Sequence, residues 1–217
     1  MKPLLVFDVD GTLVDSQGVI IEAMRRAFAH EGLAAPAAPA IREVIGLSLV
    51  PGIARLLPLA DPETHEKLAK AYKASFHAVR AEGPEDTPFP GMVELVRTLW
   101  GEGFSLGVAT GKSRQGLART LAAHRLIDCF ITLQTADSHP SKPHPAMLEA
   151  AMVEADAAPT RTVMIGDTSY DMAMAKAAGA TGLGVGWGYH GAETLLTAGA
   201  AHVAASAGDL MDWLMRF

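Results

Sequence analysis

The segment Leu4–Ser16, LLVFDVDGTLVDS, constrains the fold of this 217-residue chain more than any other segment. An apolar run ends at Phe7, and two acidic residues, Asp8 and Asp10, follow it. In an extended strand, residues two apart point to the same face. A short, continuous apolar run is typical of a parallel strand that is covered on both faces. The segment therefore predicts a buried strand that presents two carboxylates at its carboxyl end.

Two neighbouring carboxylates in such a position need a partner. At about 4 Å and an effective dielectric constant near 20, they repel each other by roughly 4 kcal/mol. A cation, a proton or water must offset this repulsion, and a charge at Asp8 is costly beside Phe7 and Val9 unless it is paired. Asp10-Gly11 between apolar residues is also a common hairpin turn. That alternative explains Asp10 and Gly11 but leaves Asp8 unexplained.

Composition and charge exclude several classes of protein. The chain is 49% hydrophobic and 19% charged, which is typical of a globular protein and not of a disordered one. Its net charge of -6 provides no basic surface for phosphate backbones, so we expect no nucleic-acid partner. The longest charge-free run, Ala177–Ala192, is too short to span a membrane, and Asp8 comes too early for a signal peptide.

The single cysteine, Cys129, excludes an internal disulfide and fits a reducing compartment. Its apolar neighbours favour a packing role over a nucleophilic one. We therefore expect a cytoplasmic protein without a membrane partner. No exposed apolar stripe is identifiable, so a monomer and a weak homodimer are both compatible with the sequence.

The pattern of apolar residues divides the chain in two. Residues 15–86 show helical spacing and no strand pattern, with predicted helices at Val19–Glu31, Ile41–Ile45, Leu49–Leu57 and from Asp61 to near Gly83-Pro84. After Phe89, predicted strands (Phe104–Ala109, Phe130–Leu133, Thr162–Ile165, Thr181–Val185 and 202–204) alternate with predicted helices (Met92–Trp100, Ser113–His124, Ala146–Ala155, Tyr170–Ala178, Ala192–Thr197 and Ala207–Met215). Asp61 is a typical N-cap, and Pro62 suits the first helical position.

This alternation predicts an α/β fold with a doubly wound parallel sheet, which is a Rossmann-like core. Because the helical block separates the first strand from the second, it is predicted to be an inserted all-helical cap. The expected division is a core of residues 1–14 and 87–217 and a cap of residues 15–86. Ligands of such sheets bind beyond the carboxyl ends of the strands, where Asp8 is expected.

Other polar residues follow predicted strands or precede helices. Thr110-Gly111 ends one strand, Lys142 lies before a proline in a stiff loop, and Asp167 and Asp171 flank a helix start. Each has a simpler alternative: a turn, a solvated lysine or a helix cap. A cap explains one aspartate, but not why two apolar strands both end in an acid.

Oxygen ligands of this kind suit Mg²⁺, which shares its sites with phosphate oxygens. Since the chain has no glycine-rich phosphate loop, an aspartate itself becomes a candidate nucleophile.

These segments together resemble the haloacid dehalogenase superfamily of phosphohydrolases, in the branch with a helical cap after the first motif. The resemblance covers nearly the whole chain through four ordered motifs: Asp8–Ser16, Thr110, Lys142, and Gly166-Asp167 with Asp171. It implies that Asp8 attacks phosphorus and that Asp10 protonates the leaving group and then activates water.

The resemblance also implies the roles of the remaining residues. Mg²⁺ would be held by the carboxylates of Asp8 and Asp167 and by the backbone carbonyl of Asp10. Thr110, with Gly111 beside it, and Lys142 would bind phosphoryl oxygens. Asp171 would be a supporting residue that positions Lys142 or a metal-bound water.

Dehalogenases of the superfamily lack an acid at the position of Asp10, so the resemblance favours phosphate esters of small metabolites. Residues 41–48, IREVIGLS, resemble phosphoglycolate phosphatases, and this implies that Arg42 meets a substrate carboxylate. A solvated helix arginine is the alternative. A phosphosugar mutase, a pyrophosphatase and a non-catalytic module that binds metal or phosphate remain alternative functions.

Overall fold

The core of the protein is a parallel β-sheet. The computed structural model describes residues 2–83 and 86–217. The strands of this part, in chain order, are β1 (Leu4–Phe7), β2 (Val14–Asp15), β3 (Thr87–Pro88), β4 (Ser105–Thr110), β5 (Thr132–Thr135), β6 (Thr162–Gly166), β7 (Thr181–Val185) and β8 (Ala200–Ala204). Six of them form one sheet in the order β5-β4-β1-β6-β7-β8, and all neighbouring strands in it are parallel.

The helices of the same part, in chain order, are α1 (Gln17–His30), α2 (Ala38–Glu43), α3 (Leu49–Leu56), α4 (Pro62–Glu82), α5 (Met92–Gly101), α6 (Arg114–Ala123), α7 (Ala146–Glu154), α8 (Ser169–Ala177), α9 (Ala192–Ala198) and α10 (Ala207–Leu214). Within the described ranges, no helix is both long and apolar enough to cross a membrane.

Both faces of the sheet are covered by helices, and β1 shows why. Leu5 and Phe7 point into an apolar cluster that includes side chains of α5, α6 and α10. Leu4 and Val6 point the other way, into a cluster with side chains of α7 and α8. A strand buried on both faces must be apolar at every position, and all four residues of β1 are buried. The predicted doubly wound α/β fold is confirmed.

Helices α1–α4 form the insertion between β1 and the rest of the sheet. They share an apolar cluster of their own, which includes Phe28, Ile41, Ile53 and Leu68. The predicted N-cap of α4 is confirmed, because the Oδ1 atom of Asp61 accepts a hydrogen bond from the backbone N–H of Thr64 at 2.7 Å. Helix α4 ends at Glu82, and Pro84, which the sequence places at its end, lies outside the described residues.

A short antiparallel ladder joins the two segments that lead into and out of the insertion. Val14 pairs with Pro88 and Asp15 pairs with Thr87. The sequence did not predict β2 and β3, because two residues carry no readable alternation. The ladder runs across the predicted division at residues 14/15 and 86/87, and this division stays a prediction.

Four other predicted elements begin two or three residues away from the predicted position. Helix α1 begins at Gln17 and not at Val19. Helix α2 begins at Ala38 and not at Ile41, because Pro39 suits the first helical turn. Strand β8 begins at Ala200, ahead of the predicted 202. Strand β5 begins at Thr132, because the apolar Phe130 ahead of it packs edge-on against Phe7 instead of joining the sheet.

Candidate active site

Asp8 follows directly after β1, the strand at the centre of the sheet between β4 and β6. Its backbone N–H donates to the carbonyl of Ile165 in β6 at 2.8 Å, which extends the sheet pairing by one residue. The side chain is almost fully buried, and its Oδ1 atom accepts a hydrogen bond from the Val9 N–H at 2.7 Å. One carboxylate oxygen is therefore held by the backbone, and the other is left for a partner from elsewhere in the chain.

That partner is Lys142, which the fold brings to Asp8 from a distant loop. Its Nζ atom lies 3.0 Å from Asp8 Oδ2 and 2.6 Å from Asp171 Oδ1. Burial lowers the pKa of the Lys142 ammonium, but the carboxylates of Asp171 and Asp8 outweigh this effect and raise the pKa above its ordinary value. Lys142 is therefore protonated, and the alternative of a solvated lysine is wrong.

Asp171 is locked in place by the start of helix α8. Its Oδ2 atom accepts hydrogen bonds from the Thr168 backbone N–H at 3.0 Å and the Thr168 hydroxyl at 2.7 Å. The Thr168 Oγ1 atom in turn accepts a hydrogen bond from the Asp171 N–H at 3.4 Å, and the two bonds from backbone to side chain form a capping box. A Cβ atom on Gly166 would come within 2.3 Å of Asp171 Cγ, so only glycine leaves room there. Asp171 thus caps its helix with one oxygen and orients Lys142 with the other.

Asp167 follows β6 as Asp8 follows β1, and it is also fully buried. Its Oδ1 atom accepts a hydrogen bond from the Thr12 hydroxyl at 2.9 Å, and its Oδ2 atom accepts one from the Tyr189 N–H at 2.9 Å. Cβ atoms on Gly11 and Gly188 would come within 2.2 Å of Asp167 Oδ2 and 2.1 Å of Asp167 Cβ. Two backbone segments therefore enclose this carboxylate so closely that neither has room for a side chain.

We call Asp8, Lys142, Asp167 and Asp171 the carboxylate cluster. Ligand atoms of its three aspartates lie within 4.8 Å of one another, and this spacing allows them to hold one metal ion. Burial and the charges of Asp171 and Asp8 raise the pKa of Asp167 well above its ordinary value. Burial, opposed by Lys142 and reinforced by Asp171 and Asp10, raises the pKa of Asp8 to about 7.

Three carboxylates facing one ammonium leave an excess of buried negative charge. Asp8 Oδ2 also has no well-aligned hydrogen bond within the described part of the chain. Both observations fit a hard divalent cation with oxygen ligands. The side chain of Asp10 is not part of the three-aspartate group, and its predicted metal contact through the backbone carbonyl stays a prediction.

Asp10 lies beside the cluster with a different set of partners. Its Oδ1 atom accepts a hydrogen bond from the Ser16 hydroxyl and lies 2.7 Å from Lys112 Nζ. Lys112 Nζ is also 3.9 Å from the buried carboxylate of Asp86, which pairs with Arg80. The contact of Lys112 with Asp10 was not predicted from the sequence. The available signal was the position of Lys112 directly after the Thr110-Gly111 segment.

Thr110 and Gly111 lie at the carboxyl end of β4, facing the same space as Asp8 and Asp10. Thr110 is almost fully buried. A Cβ atom on Gly111 would lie 2.7 Å from the Leu47 carbonyl and 2.8 Å from that of Gly46, so the insertion touches the core backbone there. The insertion also contacts the core where the Ser48 N–H donates to Ser141 Oγ at 2.9 Å.

Between the insertion and the strand ends lies a cavity of about 590 Å³. Asp8, Asp10, Thr110 and Gly111 line it from the core. Arg42, which the sequence places in the substrate site, is absent from the lining, and its Nε atom donates to Gln17 Oε1 at 2.9 Å. The lysine and arginine side chains that do line the cavity are Lys73, Arg80, Lys112 and Arg119.

The fold and the site describe an α/β protein with a buried acidic cluster at its strand ends, covered by helices. The chain belongs to the haloacid dehalogenase-like hydrolases, whose family model matches residues 5–185. The resemblance seen in its motifs is thereby confirmed, and the chain is an enzyme of this hydrolase family.

Relatives with different names share most of the chain. It is 37% identical to "Probable phosphatase IndB" of Dickeya dadantii (91% of this chain, 87% of the relative). It is 30% identical to "Pyrophosphatase PpaX" of Anoxybacillus flavithermus (97% and 95%) and 28% identical to "Phosphoglycolate phosphatase" of Vibrio vulnificus (96% and 94%). A crystal structure of a hydrolase from Pseudomonas syringae superposes with a TM-score of 0.88 at 27% identity, covering 100% of this chain and 99% of that one.

Proposed function

We propose that this protein is a Mg²⁺-dependent phosphatase that hydrolyses a small phosphorylated metabolite through an aspartyl-phosphate intermediate. The observation that carries the proposal is the buried Asp8 carboxylate, which lines the cavity and is held by Lys142 at the centre of the sheet. A buried carboxylate with a cation on one side and open space on the other is arranged to attack an electrophile. The relatives named phosphatases support the same chemistry.

In the first step, a carboxylate oxygen of Asp8 attacks phosphorus, and the bond from phosphorus to the leaving oxygen breaks. Asp10, which lines the same cavity, gives its proton to the leaving alkoxide. In the second step, Asp10 takes a proton from water, and the water oxygen attacks the phosphorus of the aspartyl phosphate. Phosphate is released, and Asp8 is regenerated as a carboxylate.

The other residues hold the reacting groups. Thr110, the backbone at Gly111 and the Lys142 ammonium would bind the phosphoryl oxygens and stabilise the negative charge that they carry. Asp171 positions Lys142 through the 2.6 Å contact. Asp8 and Asp167, with the Asp10 carbonyl, would hold Mg²⁺. When bound, Mg²⁺ supplies positive charge that offsets the carboxylates and polarises the phosphoryl group.

A pyrophosphatase is the second candidate function. A relative of that name shares 30% identity over almost the whole chain, and Lys73 and Arg119 line the cavity beyond the catalytic aspartates. A phosphosugar mutase is a third candidate, which would return the phosphoryl group to the sugar instead of releasing it.

The proposal is tested by measuring phosphate release with and without Mg²⁺. The substrates are a panel of phosphate monoesters that includes 2-phosphoglycolate, and pyrophosphate as a separate substrate. We expect Mg²⁺-dependent release, and its loss in Asp8→Asn. Asp128→Asn is the matched control, because Asp128 is exposed and lies outside the cavity lining. Full turnover in Asp8→Asn on every substrate would contradict the nucleophile assignment. Phosphate that stays on an isomerised sugar would favour the mutase.

A further inference from the structure

We infer that the physiological substrate carries its phosphate on an alcohol with a bulky, uncharged body that contains an aromatic ring. This inference rests on the proposed phosphatase function, because it assigns the leaving group at the same site. It follows from three features of the cavity: its size, its apolar wall and the pairing of the cations beside the catalytic aspartates.

The cavity is much larger than pyrophosphate or 2-phosphoglycolate, the smallest of the candidate substrates. Its volume of about 590 Å³ corresponds to roughly twenty water molecules at about 30 Å³ each. It also falls within the range of about 300–1,000 Å³ that is typical of sites for drug-sized ligands. Pyrophosphate or a two-carbon acid phosphate would leave most of this space to water.

Most of the side chains that the insertion contributes to the cavity lining are apolar. We call its main contributors the cap wall: Ile20, Met24, Ile41, Val44, Tyr72 and Phe76. Tyr72 and Phe76 lie one turn apart on α4, with ring centroids 5.7 Å apart and ring planes 33° apart. Apolar surface of this kind binds apolar ligand atoms, and the paired aromatic side chains favour a flat ring that packs against them.

The cations nearest the catalytic aspartates already have carboxylate partners. Lys112 lies 2.7 Å from Asp10, and Arg80 pairs with Asp86. Two further cationic side chains of the lining, Lys73 and Arg119, are exposed. A second anionic group next to the reacting phosphate would compete with Asp10 for Lys112 and with Asp86 for Arg80. The pairing therefore favours an uncharged leaving group.

The test compares two monoesters of primary alcohols, 2-phenylethyl phosphate and ethyl phosphate. The first carries a phenyl ring, and the second lacks it. Their leaving groups are alkoxides of the same type, so a difference in kcat/KM reports binding of the ring. We expect kcat/KM for 2-phenylethyl phosphate to exceed that for ethyl phosphate, 2-phosphoglycolate and pyrophosphate by about tenfold or more. Similar values for the two esters, or a preference for 2-phosphoglycolate or pyrophosphate, would overturn the inference and leave the phosphatase function intact.

A variant locates the effect in the cap wall. We expect Phe76→Ala to reduce the ratio of the two kcat/KM values by about tenfold, since the ring loses its aromatic neighbour. Leu59→Ala is the matched control, because Leu59 is fully exposed on the insertion, and we expect it to leave the ratio unchanged. An unchanged ratio in a folded Phe76→Ala would overturn the inference. Release from none of the compounds would contradict the phosphatase function and the inference with it.

Discussion

The carboxylate cluster, which reaches the cavity at Asp8, and the cap wall belong to one site, but they are held by different contacts. In the cluster, each buried charge has fixed partners: Lys142 bridges Asp8 and Asp171, and Asp167 is enclosed by two hydrogen bonds. In the cap wall, apolar side chains pack mainly by non-directional contacts, and the Phe76 ring also faces Arg80 and Lys112 at 5.5 and 6.0 Å. A buried charge is costly without its partners, whereas an apolar wall tolerates exchange of similar residues. Under the proposed function, the cluster therefore serves one chemistry, and the cap wall can be altered for a different leaving group.

The largest expected effect comes from removing the cation of the cluster. Lys142→Met leaves Asp8 and Asp171 buried without their shared ammonium, which typically destabilises a protein by about 3–5 kcal/mol. We expect a loss of this size in the free energy of unfolding in urea, measured without metal at neutral pH, together with loss of activity. Lys70→Met on the exposed side of α4 is the control and should change stability little. A Lys142→Met protein as stable as the control would show that the cluster does not depend on its ion pairs.

The next effect is a pH dependence of the metal-free protein. Burial, opposed by Lys142, raises the pKa of Asp8 from 3.8 to about 7, so the folded state binds more protons than the unfolded state between these values. The free energy of unfolding therefore falls as the pH rises through this window. We expect the Tm in EDTA to decrease between pH 5 and pH 7, and the decrease to be smaller in Asp8→Asn. Phe76→Leu, in the cap wall, should keep the wild-type slope. A Tm that rises over this range would contradict the prediction.

Two glycine substitutions compare the cluster with the insertion directly. A Cβ atom at Gly188 would lie 2.1 Å from Asp167 Cβ, so Gly188→Ala must move the backbone and should cost about 1–3 kcal/mol. A Cβ atom at Gly52, inside α3, has its nearest neighbour at 3.6 Å. Gly52→Ala should be neutral or stabilise the protein by up to about 1 kcal/mol, since alanine favours helix.

Thermal unfolding with and without Mg²⁺ measures both glycine variants. We also expect Gly188→Ala to reduce the rise in Tm that Mg²⁺ causes, because Asp167 is displaced. Equal tolerance at the two positions would show that the cluster is no more tightly packed than the insertion.

The smallest effect is expected at the cap of α4, on the insertion and remote from the cluster. Hydrogen bonds from Thr64 lower the pKa of Asp61 below 3.8, so its contribution to stability is present above that pH and is lost as the pH falls through the folded-state value. Asp61→Ala should lower the Tm slightly at neutral pH and leave phosphate release unchanged. Asp61→Asn, which keeps an N-cap side chain, should lose less. A change in activity would show that the helix start is coupled to the site.

The residues of the site that lie at the strand ends of the core were largely predicted from the sequence. Asp8 and Asp167 each follow an apolar run, and a charge directly after a buried strand is unusual enough to be noticed in a single chain. Lys142 gave a weaker signal, because a lysine before a proline is also common at surfaces. The residues that the prediction grouped at the strand ends do lie together around the cavity and the cluster.

The residues that the insertion contributes to the site, and the partners of Lys112, were not predicted from the sequence. Arg42 matched a family pattern, but its side chain lies on Gln17 outside the cavity lining. Tyr72 and Phe76 lie within the predicted helix that begins at Asp61, and helical spacing is the same whether the apolar face packs on another helix or faces a ligand. Lys112 and Asp86 are 26 positions apart in the chain. The structure was needed to show that Lys112 lies between Asp10 and Asp86, and that Asp86 also pairs with Arg80.

The sequence by itself determined the doubly wound sheet, the helical insertion and the acidic strand ends. These follow from local periodicity and from the cost of burying a charge, which both act on neighbouring residues. Only the tertiary structure decided that Lys112 meets Asp10, that Arg80 meets Asp86, and that a cavity of about 590 Å³ with a largely apolar cap wall lies above the strand ends. These depend on how the insertion docks on the core, and docking arises from contacts between residues that are distant in the chain.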